Sequence, residues 1–300
     1  MTSEPVLQLL ESPDWVDYEL LDSGNGSRLE RFGPYIFIRP EHQAVWVPAL
    51  PEGKWKSAHA IFHSTSEESG GHWEFIKPIE EAWQMQYKGL QFQARTSNSR
   101  HVGVFPEQAN HWDWINAQVR ATKTSLRVLN LFGYTGLATL AAAKAGAQVT
   151  HVDASKKSIN WARENQALSK MEAKPIRWII DDALKFVQRE KRRGAQYDGL
   201  ILDPPKFGRG PKGEVWEVFE MLPVLLEACQ AILAPKPAFL VITAYAIRAS
   251  ALSLFYAVEE MLAGYQGSLS TGELVVREKS KSRLLSAAIF VRWSAYQVES

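Results

Sequence analysis

The pattern of apolar and polar positions changes near residue 100, and the first part of the chain predicts short β-strands. Extended runs flank Gly24, Asn25 and Gly26, and a second pair of runs flanks Lys88 and Gly89. Runs joined by such glycine-containing turns are typical of β-hairpins. The polar segment HSTSEESGGHWE between them predicts a surface loop. We therefore predict a small β-rich N-terminal domain over residues 1–95, with substrate recognition as a candidate role.

From about Gln108 onward, strand patterns alternate with helix patterns. The predicted strands are RVLNLF, QVTHVD, IRWII, YDGLILD, AFLVITA, GELVVRE and SAAIFVRW, and one long helix is predicted over EVWEVFEMLPVLLEACQAIL. This alternation predicts a parallel sheet with helices on both faces. The last two strands are too close together for a helical crossover, so one should be antiparallel. Residues 96–300 are thus predicted to form an α/β domain with a Rossmann-like, doubly wound, mostly parallel seven-stranded sheet and a final antiparallel strand.

Composition narrows the class of protein. Cys229 is the single cysteine, which excludes an internal disulfide or a cysteine metal cluster and favours a reducing compartment. No apolar stretch approaches the ~20 residues that a membrane helix needs, and the acidic amino terminus does not resemble a signal peptide. The histidines do not have the spacing of zinc ligands. We expect a cytoplasmic protein that holds no metal and contacts no membrane.

Charge is distributed unevenly between the two parts of the chain. Residues 1–120 hold 10 Lys/Arg and 16 Asp/Glu, a net charge of −6, while the whole chain holds 34 and 33. Residues 121–300 therefore carry a net charge of +7. The second part favours an anionic partner, whereas the first part would repel one.

Candidate ligand-binding residues follow four successive predicted strands. In order, they are Asn130 to Gly136, then Asp153, then Asp182, then Asp203 with Pro204 and Pro205. In a doubly wound sheet, ligands bind at the carboxyl ends of the strands. For any one of these acids, a role as the cap of the following helix is an equally good explanation. Four successive strand ends nevertheless favour a binding site.

The spacing of the glycines helps to distinguish two cofactors. A glycine turn followed about 20 residues later by an acid that binds a ribose is also typical of nicotinamide dinucleotide sites. The three-glycine spacing of those sites is absent here, because Gly133 and Gly136 stand alone. This favours S-adenosylmethionine, which has no pyrophosphate, with Asp153 on the ribose hydroxyls and Asp182 on the adenine amino group.

Residues 85–300 resemble the class I methyltransferases that modify large-subunit ribosomal RNA, a group with cytosine-C5 and guanine-N7 members. The resemblance rests on VLNLFGYTGLATLAAAKAGAQVTHVDASKKSINWARENQALS, IIDDALKFV, YDGLILDPPKFGRG and HVGVFPEQ. It implies that Phe105 and Gln108 lie beside the cofactor. Family members usually carry an arginine after that glutamine, whereas this chain has Ala109 and Asn110.

The motif and the resemblance together give a set of candidate S-adenosylmethionine contacts. They are Phe105, Gln108, Asn130, Phe132, Gly133, Tyr134, Thr135, Gly136, Asp153, Ala154, Ser155, Asp182, Ala183 and Asp203. Tyr134 is the aromatic residue that we expect to touch cofactor or substrate.

The segment Asp203-Pro204-Pro205-Lys206 is the candidate catalytic turn. In related amino-methylating enzymes, Asp/Asn-Pro-Pro-aromatic holds an extruded base; here Lys206 fills the aromatic position and Phe207 follows it. A basic loop after this turn and a second one in REKSKSR are candidates to bind RNA phosphates, although a solvated loop explains each cation equally well. The candidate substrate-binding residues are Phe207, Arg209, Lys212, Lys279 and Lys281.

The position of cysteine limits the chemistry. Methylation at cytosine C5 needs a thiolate that adds to C6, and family members of that type carry a cysteine after the next strand, where this chain reads Ile242-Thr243-Ala244-Tyr245-Ala246. Cys229 falls inside a predicted helix and is expected to be a core residue.

The leading hypothesis is therefore an S-adenosylmethionine-dependent RNA methyltransferase that acts on a base nitrogen, with ribosomal RNA favoured. Three alternatives stay open: transfer to a protein or small molecule, a cofactor-binding protein without transfer activity, and a nicotinamide oxidoreductase.

Overall fold

The computed structural model describes residues 4–13, 15–65, 70–122, 124–245, 247 and 249–296. Its described residues divide into two compact units. The large unit comprises Met1–Leu10, Asn110–Leu274 and Ala287–Ser300, and the small unit comprises Glu11–Ala109 and Val275–Ser286.

Seventeen strands, seven α-helices and the short 3₁₀ helix Pro106–Gln108 lie within the described ranges. The strands are β1 (Leu7–Glu11), β2 (Tyr18–Gly24), β3 (Ser27–Phe32), β4 (Tyr35–Pro40), β5 (Ala60–Ser64), β6 (Gly71–Phe75), β7 (Trp83–Tyr87), β8 (Leu90–Ala94), β9 (Arg127–Leu131), β10 (Gln148–Asp153), β11 (Ile176–Ile180), β12 (Gly199–Leu202), β13 (Phe207–Arg209), β14 (Val215–Glu217), β15 (Phe239–Tyr245), β16 (Ser268–Arg277) and β17 (Leu284–Ser294). The helices are α1 (Glu52–Trp55), α2 (Ala109–Ala121), α3 (Leu137–Ala145), α4 (Lys156–Leu168), α5 (Ala183–Arg192), α6 (Val218–Gln230) and α7 (Ala251–Met261).

The large sheet has the strand order β1-β16-β17-β15-β12-β9-β10-β11. Strands β15, β12, β9, β10 and β11 pair in parallel, and β17 pairs antiparallel with β15. The chain first moves outward from β9 to β11 and then returns to β12 on the other side of β9. Right-handed crossovers place the helices before and after this reversal on opposite faces. The predicted α/β fold is confirmed, and the reversal between β9 and β12 is where such a sheet opens a crevice.

The sheet has eight strands, one more than the sequence predicts. The additional strand, β1, comes from the amino terminus and lies at the edge beside β16. Gly272 of β16 permits this approach, because a Cβ there would lie 2.6 Å from the backbone nitrogen and carbonyl carbon of Gln8. A short run of five residues carries no local signal for a partner that lies more than 250 residues further along the chain.

The predicted long helix from Glu214 to Leu233 is wrong at its start. Val215–Glu217 forms strand β14, which pairs antiparallel with β13, and α6 begins at Val218. The carboxylate of Glu217 accepts a hydrogen bond from the backbone N–H of Glu220 at 3.1 Å and caps α6. Strand pairing and the cap together override the helical pattern of the first residues.

The small unit contains a five-stranded sheet, β2-β3-β4-β5-β6, and the separate hairpin β7-β8. Asn25 and Gly26 have φ angles of 49° and 75°, and Lys88 and Gly89 have 43° and 77°. Positive φ at both turn residues is the geometry that matches the twist of a two-residue hairpin, so both predicted hairpins are present. The predicted loop HSTSEESGGHWE starts in β5 and ends in β6, and its residues 66–69 lie outside the described residues.

The substitution Gly272→Ala is expected to release β1 from the sheet. The new methyl group would overlap the backbone of Gln8, and overpacking of this kind costs about 1–3 kcal/mol. Hydrogen exchange should show rapid exchange of the β1 amides, while the amides of β9 and β12 keep their protection. Gly264→Ala is the matched control, because no atom lies within 4 Å of its Cβ position. Unchanged protection of β1 in Gly272→Ala would contradict the assignment.

Candidate functional site

The strand registers bring three predicted site residues to one edge of the sheet. Val152 and Leu202 both pair with Leu131, and Leu202 also pairs with Ile242. The next residues along these strands are Asp153, Phe132, Asp203 and Thr243. Asp153, Phe132 and Asp203 stand at the carboxyl ends of β10, β9 and β12, on either side of the reversal in strand order, and Thr243 lies two residues before the end of β15.

The turn from Phe132 to Gly136, called here the glycine turn, has an unusual backbone. Phe132, Tyr134 and Gly136 have φ angles of 58°, 49° and 84°. Left-handed conformations are costly for non-glycine residues. The turn is held by hydrogen bonds from Gly133 N–H to the Val152 carbonyl (3.1 Å) and from Gly136 N–H to the Gly133 carbonyl (3.0 Å).

Both glycines lie directly against side chains below the turn. A Cβ on Gly133 would lie 2.5 Å from Nδ1 and 2.9 Å from Nε2 of His151, and a Cβ on Gly136 would lie 2.9 Å from the Cβ of Ala162. Gly133 is therefore required for close approach, and Gly136 for both approach and backbone conformation. The glycine turn rests on the His151 ring.

A buried polar chain continues below His151. Its Nδ1 lies 2.9 Å from the Thr139 hydroxyl, which accepts a hydrogen bond from Nδ2 of Asn130 at 2.9 Å. Burial lowers the pKa of His151 to about 3, so the ring is neutral at physiological pH. Asn130, a predicted cofactor contact, is buried and supports the turn through α3.

Asp153 holds the upper side of the glycine turn. One carboxylate oxygen accepts from the N–H of Tyr134 at 2.9 Å, and the other accepts from the N–H of Ser155 at 2.8 Å. Burial raises the pKa of Asp153 above its ordinary value, against the effect of these two hydrogen bonds. Each carboxylate oxygen keeps a second acceptor position, which suits a ribose with two adjacent hydroxyls.

The residues after β10 and β11 also cap helices. Ser155 accepts from the Ser158 N–H and caps α4, and Asp182 accepts from the Lys185 N–H at 2.9 Å and caps α5. Asp181 pairs instead with Arg189. Ala154 and Ala183 lie beside these caps, with Ala183 buried at the start of α5. Capping uses one carboxylate oxygen of Asp182 and leaves the other oxygen for a predicted adenine contact.

Thr135 and Tyr134 complete the glycine turn. The carbonyl of Thr135 accepts from Nδ2 of the buried Asn165 at 3.0 Å. The ring of Tyr134 lies 6.1 Å from that of Trp161. Two residues of α4 therefore hold the outer part of the turn.

The Asp203-Pro204-Pro205-Lys206 segment, called here the proline turn, is fixed at three points. The N–H of Asp203 contacts the Leu131 carbonyl at 3.4 Å. The carbonyl of Pro205 accepts from Nε1 of Trp216 at 2.6 Å, and the carbonyl of Lys206 accepts from the N–H of Val218 at 3.1 Å. Trp216 was not predicted as part of the site, because the sequence pattern places it in a long helix.

The β13-β14 hairpin presents an exposed face beside the proline turn. Phe207, Arg209 and Val215 lie on this face, and Phe207 and Val215 are 56% and 54% exposed. The guanidinium of Arg209 lies 6.0 Å from the centre of the Phe207 ring. Two predicted substrate-binding residues thus share one surface.

Lys212 lies at the tip of the hairpin, close to an acid. Its N–H donates to Glu214 at 2.8 Å, and Nζ of Lys185 donates to the same carboxylate at 2.5 Å. The hydrogen bond from Lys185 is the main reason that the pKa of Glu214 falls to about 2.

The remaining predicted site residues belong to the small unit. Phe105 lies 4.5 Å from the His101 ring, and Gln108 is buried. Nζ of Lys279 lies 3.4 Å from the Glu19 carboxylate, and Lys281 is exposed in the loop between β16 and β17. The structure thus places the two predicted basic loops in different units, and the roles of these four residues stay predictions.

Asn110 lies next to the position at which members of the resembled family usually carry an arginine. In this protein it contacts an arginine from another element. Its Oδ1 accepts from Nη2 of Arg292 at 2.6 Å, and His111 Nδ1 accepts from Nε at 2.9 Å. Burial lowers the pKa of Arg292 to about 9. A guanidinium thus reaches the first turn of α2 from β17.

Cys229 and the end of β15 offer no thiolate near the proline turn. Cys229 is fully buried in α6, where burial raises its pKa to about 12. Thr243 and Ala244 are buried in β15, Tyr245 ends that strand, and Ala246 lies outside the described residues.

The described parts of the chain contain neither a candidate membrane span nor a candidate metal site. No helix there is long and apolar enough to cross a membrane. No group of three or more His, Cys, Asp or Glu side chains there could hold a metal ion.

Comparisons with known proteins give one consistent result. The family model described as S-adenosylmethionine-dependent methyltransferase matches residues 41–250. The crystal structure of the SAM-dependent methyltransferase from Agrobacterium tumefaciens is 49% identical, with a TM-score of 0.91 over 98% of this chain and 95% of that one. SMU.776, a putative methyltransferase complexed with SAH, has 16% identity and a TM-score of 0.69 over 92% and 75% of the two chains, which shows the fold alone.

Curated relatives match a shorter part of the chain. Ribosomal RNA large subunit methyltransferase K/L of Shewanella sp. (strain ANA-3) is 31% identical over 171 residues, covering 55% of this chain and 23% of the relative. Ribosomal RNA large subunit methyltransferase I of Escherichia coli O139:H28 is 38% identical over 82 residues, covering 27% and 21%. The matches thus span about a quarter of the length of these curated relatives.

Asp153→Ala is expected to weaken binding of S-adenosylmethionine and S-adenosylhomocysteine about 100-fold or more, because charge-assisted hydrogen bonds contribute about 1.5–3 kcal/mol each. Calorimetry measures both ligands. Asp198→Ala is the control, because its carboxylate accepts a backbone N–H, that of Arg127, at the start of β9. Equal affinity of Asp153→Ala and Asp198→Ala for both ligands would exclude Asp153 from the site.

The affinity of the unsubstituted protein for both ligands should also fall as the pH is lowered through the raised pKa of Asp153, and this decrease should vanish in Asp153→Ala.

Gly133→Ala is expected to disrupt the glycine turn, because its methyl group would overlap the His151 ring. Overpacking costs about 1–3 kcal/mol, and affinity for S-adenosylhomocysteine should fall with it. Adding His151→Ala should restore part of the lost stability and part of the lost affinity. A double-mutant cycle of these two quantities measures the coupling between the two residues. If the effects of the two substitutions are additive, the overlap between the methyl group at position 133 and the His151 ring is not the cause of the loss.

Proposed function

Because this chain belongs to the S-adenosylmethionine-dependent methyltransferases, we propose that it transfers the methyl group to a base nitrogen of RNA, with ribosomal RNA favoured. The observation that supports this proposal is the pair of turns at the ends of β9 and β12. The turn after β9 suits the cofactor, and the turn after β12 carries Asp-Pro-Pro. The methyl group leaves a sulfonium, so the reaction needs alignment and exclusion of water more than a strong base. Both requirements suit two rigid turns on adjacent strands.

A nitrogen acceptor is supported by the state of Cys229. Attack on cytosine C5 would require a thiolate adduct, and Cys229 is buried in α6 with a raised pKa. It is the single cysteine of the chain. A nitrogen lone pair attacks the methyl carbon directly, the carbon–sulfur bond breaks, and a neutral thioether leaves. An amino group then loses one proton, for which Asp203 is the nearest candidate, whereas a ring nitrogen such as guanine N7 loses none.

We assign roles within the proline turn from its contacts. The carbonyls of Pro205 and Lys206 already accept hydrogen bonds from Trp216 and Val218. By analogy with the Asp/Asn-Pro-Pro turn of amino-methylating enzymes, we assign the carboxylate of Asp203 and the carbonyl of Pro204 to the acceptor nitrogen. Lys206 is assigned to the same turn as a cation near the reacting base.

Three observations support RNA as the substrate. The curated relatives are ribosomal RNA methyltransferases. Phe207 and Arg209 lie on one exposed face, and an exposed aromatic ring with an arginine suits an unpaired base and its phosphate. Lys212 adds a cation at the tip of the same hairpin. In the small unit, Lys279 and Lys281 stay predicted RNA contacts, and Phe105 and Gln108 stay predicted cofactor contacts.

A protein or small-molecule acceptor is the second candidate, and the charges of the small unit favour it. Arg39 and Glu30 form a buried pair, and Arg277 and Lys279 pair with Glu11 and Glu19. Basic residues that are already paired offer less to a phosphate backbone. Binding without transfer is disfavoured, because Asp203, Pro204 and Pro205 are all intact.

Mass spectrometry of modified nucleosides tests the proposal. Total RNA from a deletion strain should lack one methylated nucleoside of the parent, and the purified protein with S-adenosylmethionine should restore it. Tritium transfer to RNA and to protein fractions of the deletion strain separates the two candidate acceptors. Label in protein alone, with unchanged RNA nucleosides, would overturn the assignment to RNA.

Cys229→Ala is expected to leave the transfer rate within about twofold of the original, whereas Asp203→Ala should lower kcat about 100-fold, within the range for positioned proton-transfer groups. Tritium transfer to RNA from the deletion strain gives both rates. S-adenosylhomocysteine affinity is measured in parallel to confirm that each variant is folded. A loss of activity in Cys229→Ala with normal affinity would favour a cysteine adduct.

A further inference from the structure

We propose that Trp216 is a positioning residue that fixes the proline turn relative to the glycine turn. Trp216 lies in β14, 11 residues beyond Pro205 in sequence, and it is 4% exposed. The inference rests on the proposed function only in that the proline turn holds the acceptor.

Two contacts give Trp216 this role. Its indole Nε1 donates to the Pro205 carbonyl at 2.6 Å, and its ring centre lies 4.9 Å from that of Phe132. Phe132 is the first left-handed residue of the glycine turn. One side chain therefore contacts both the turn assigned to the acceptor and the turn assigned to the cofactor.

The β13-β14 hairpin directs Trp216 inward. Trp216 pairs with Gly208, where a Cβ would lie 3.4 Å from Cγ of Pro205 and 3.8 Å from Cβ of Trp216. Neighbouring residues in a strand point to opposite faces, so Val215 is exposed while Trp216 is buried. Val218, two residues later, donates to the Lys206 carbonyl, and the segment from 216 to 218 thus closes over the proline turn.

The two contacts of Trp216 have separable consequences. Loss of the N–H donor frees the Pro205 carbonyl and should displace the acceptor, and a displacement of about 1 Å can cost about 100-fold in rate. Loss of the whole ring also removes the surface on which Phe132 packs, so it should weaken cofactor binding. Substitution of a residue that only packs in the core would not separate an effect on kcat from an effect on cofactor affinity.

The test compares Trp216→Phe and Trp216→Ala with Trp293→Phe, in the full chain. Trp293 is a buried tryptophan of β17 that lies near Tyr265 and outside both turns. Trp216→Phe should lower kcat about 10- to 100-fold and leave the Kd of S-adenosylhomocysteine within about twofold. Trp216→Ala should lower kcat and also weaken S-adenosylhomocysteine about 10-fold or more, as expected when a buried aromatic ring is deleted. Trp293→Phe should change neither quantity, at a Tm similar to that of Trp216→Phe.

Hydrogen exchange gives a readout that needs no acceptor. With S-adenosylhomocysteine bound, Trp216→Phe should speed exchange at the amides of Lys206 and Phe207, and Trp293→Phe should not. If the original protein methylates no RNA, the proposed function fails while the exchange result still decides the role of Trp216. Normal exchange at Lys206 and Phe207, or equal effects of Trp216→Phe and Trp293→Phe on kcat, would overturn the inference.

Discussion

The glycine turn depends on the carboxylate of Asp153. Two consecutive strand ends meet there, because Asp153 ends β10 and accepts the N–H of Tyr134 from the turn that follows β9. Phe132 and Tyr134 adopt left-handed conformations, each at a cost of about 1–3 kcal/mol. The hydrogen bonds of Asp153 and the contact with His151 keep the turn in that shape before any ligand arrives. The group assigned to the ribose is thus also the group that shapes the cofactor turn, and the proline turn is held against it through Trp216 and Phe132.

The sequence predicts much of this arrangement, because its signals are local. The alternation of strands and helices fixes which loops follow which strands, and parallel pairing then brings Asp153 and Asp203 to the same edge. Gly133 and Gly136 announce a tight turn by residue type alone. Asp182 and Ser155 are predicted as site residues and prove to cap helices, two roles that residue type cannot separate.

Other features depend on pairing that no local pattern records. The hydrophobic spacing of Val215 and Trp216 continues into α6, so a helix is the natural prediction, and only the pairing with β13 makes them a strand. His151 gives no signal in QVTHVD that it will lie beneath Gly133, because that contact joins β10 to the turn after β9. The basic string REKSKSR suggests a phosphate contact, yet Arg277 and Lys279 pair with Glu11 and Glu19. Charge near the end of a strand does not disclose which residue will neutralise it.

The position of β1 at the edge of the large sheet has a consequence for synthesis. The strand is translated before every other strand of its sheet, and more than 250 residues separate it from its partner β16. Closure of so long a loop is slow, and β1 cannot pair before β16 has been made, after β9, β10, β11, β12 and β15. The small unit, encoded mainly between β1 and α2, is made during this interval. The strand that leads the sheet in sequence is thus unable to pair until late in synthesis, and neither unit corresponds to one continuous piece of the gene.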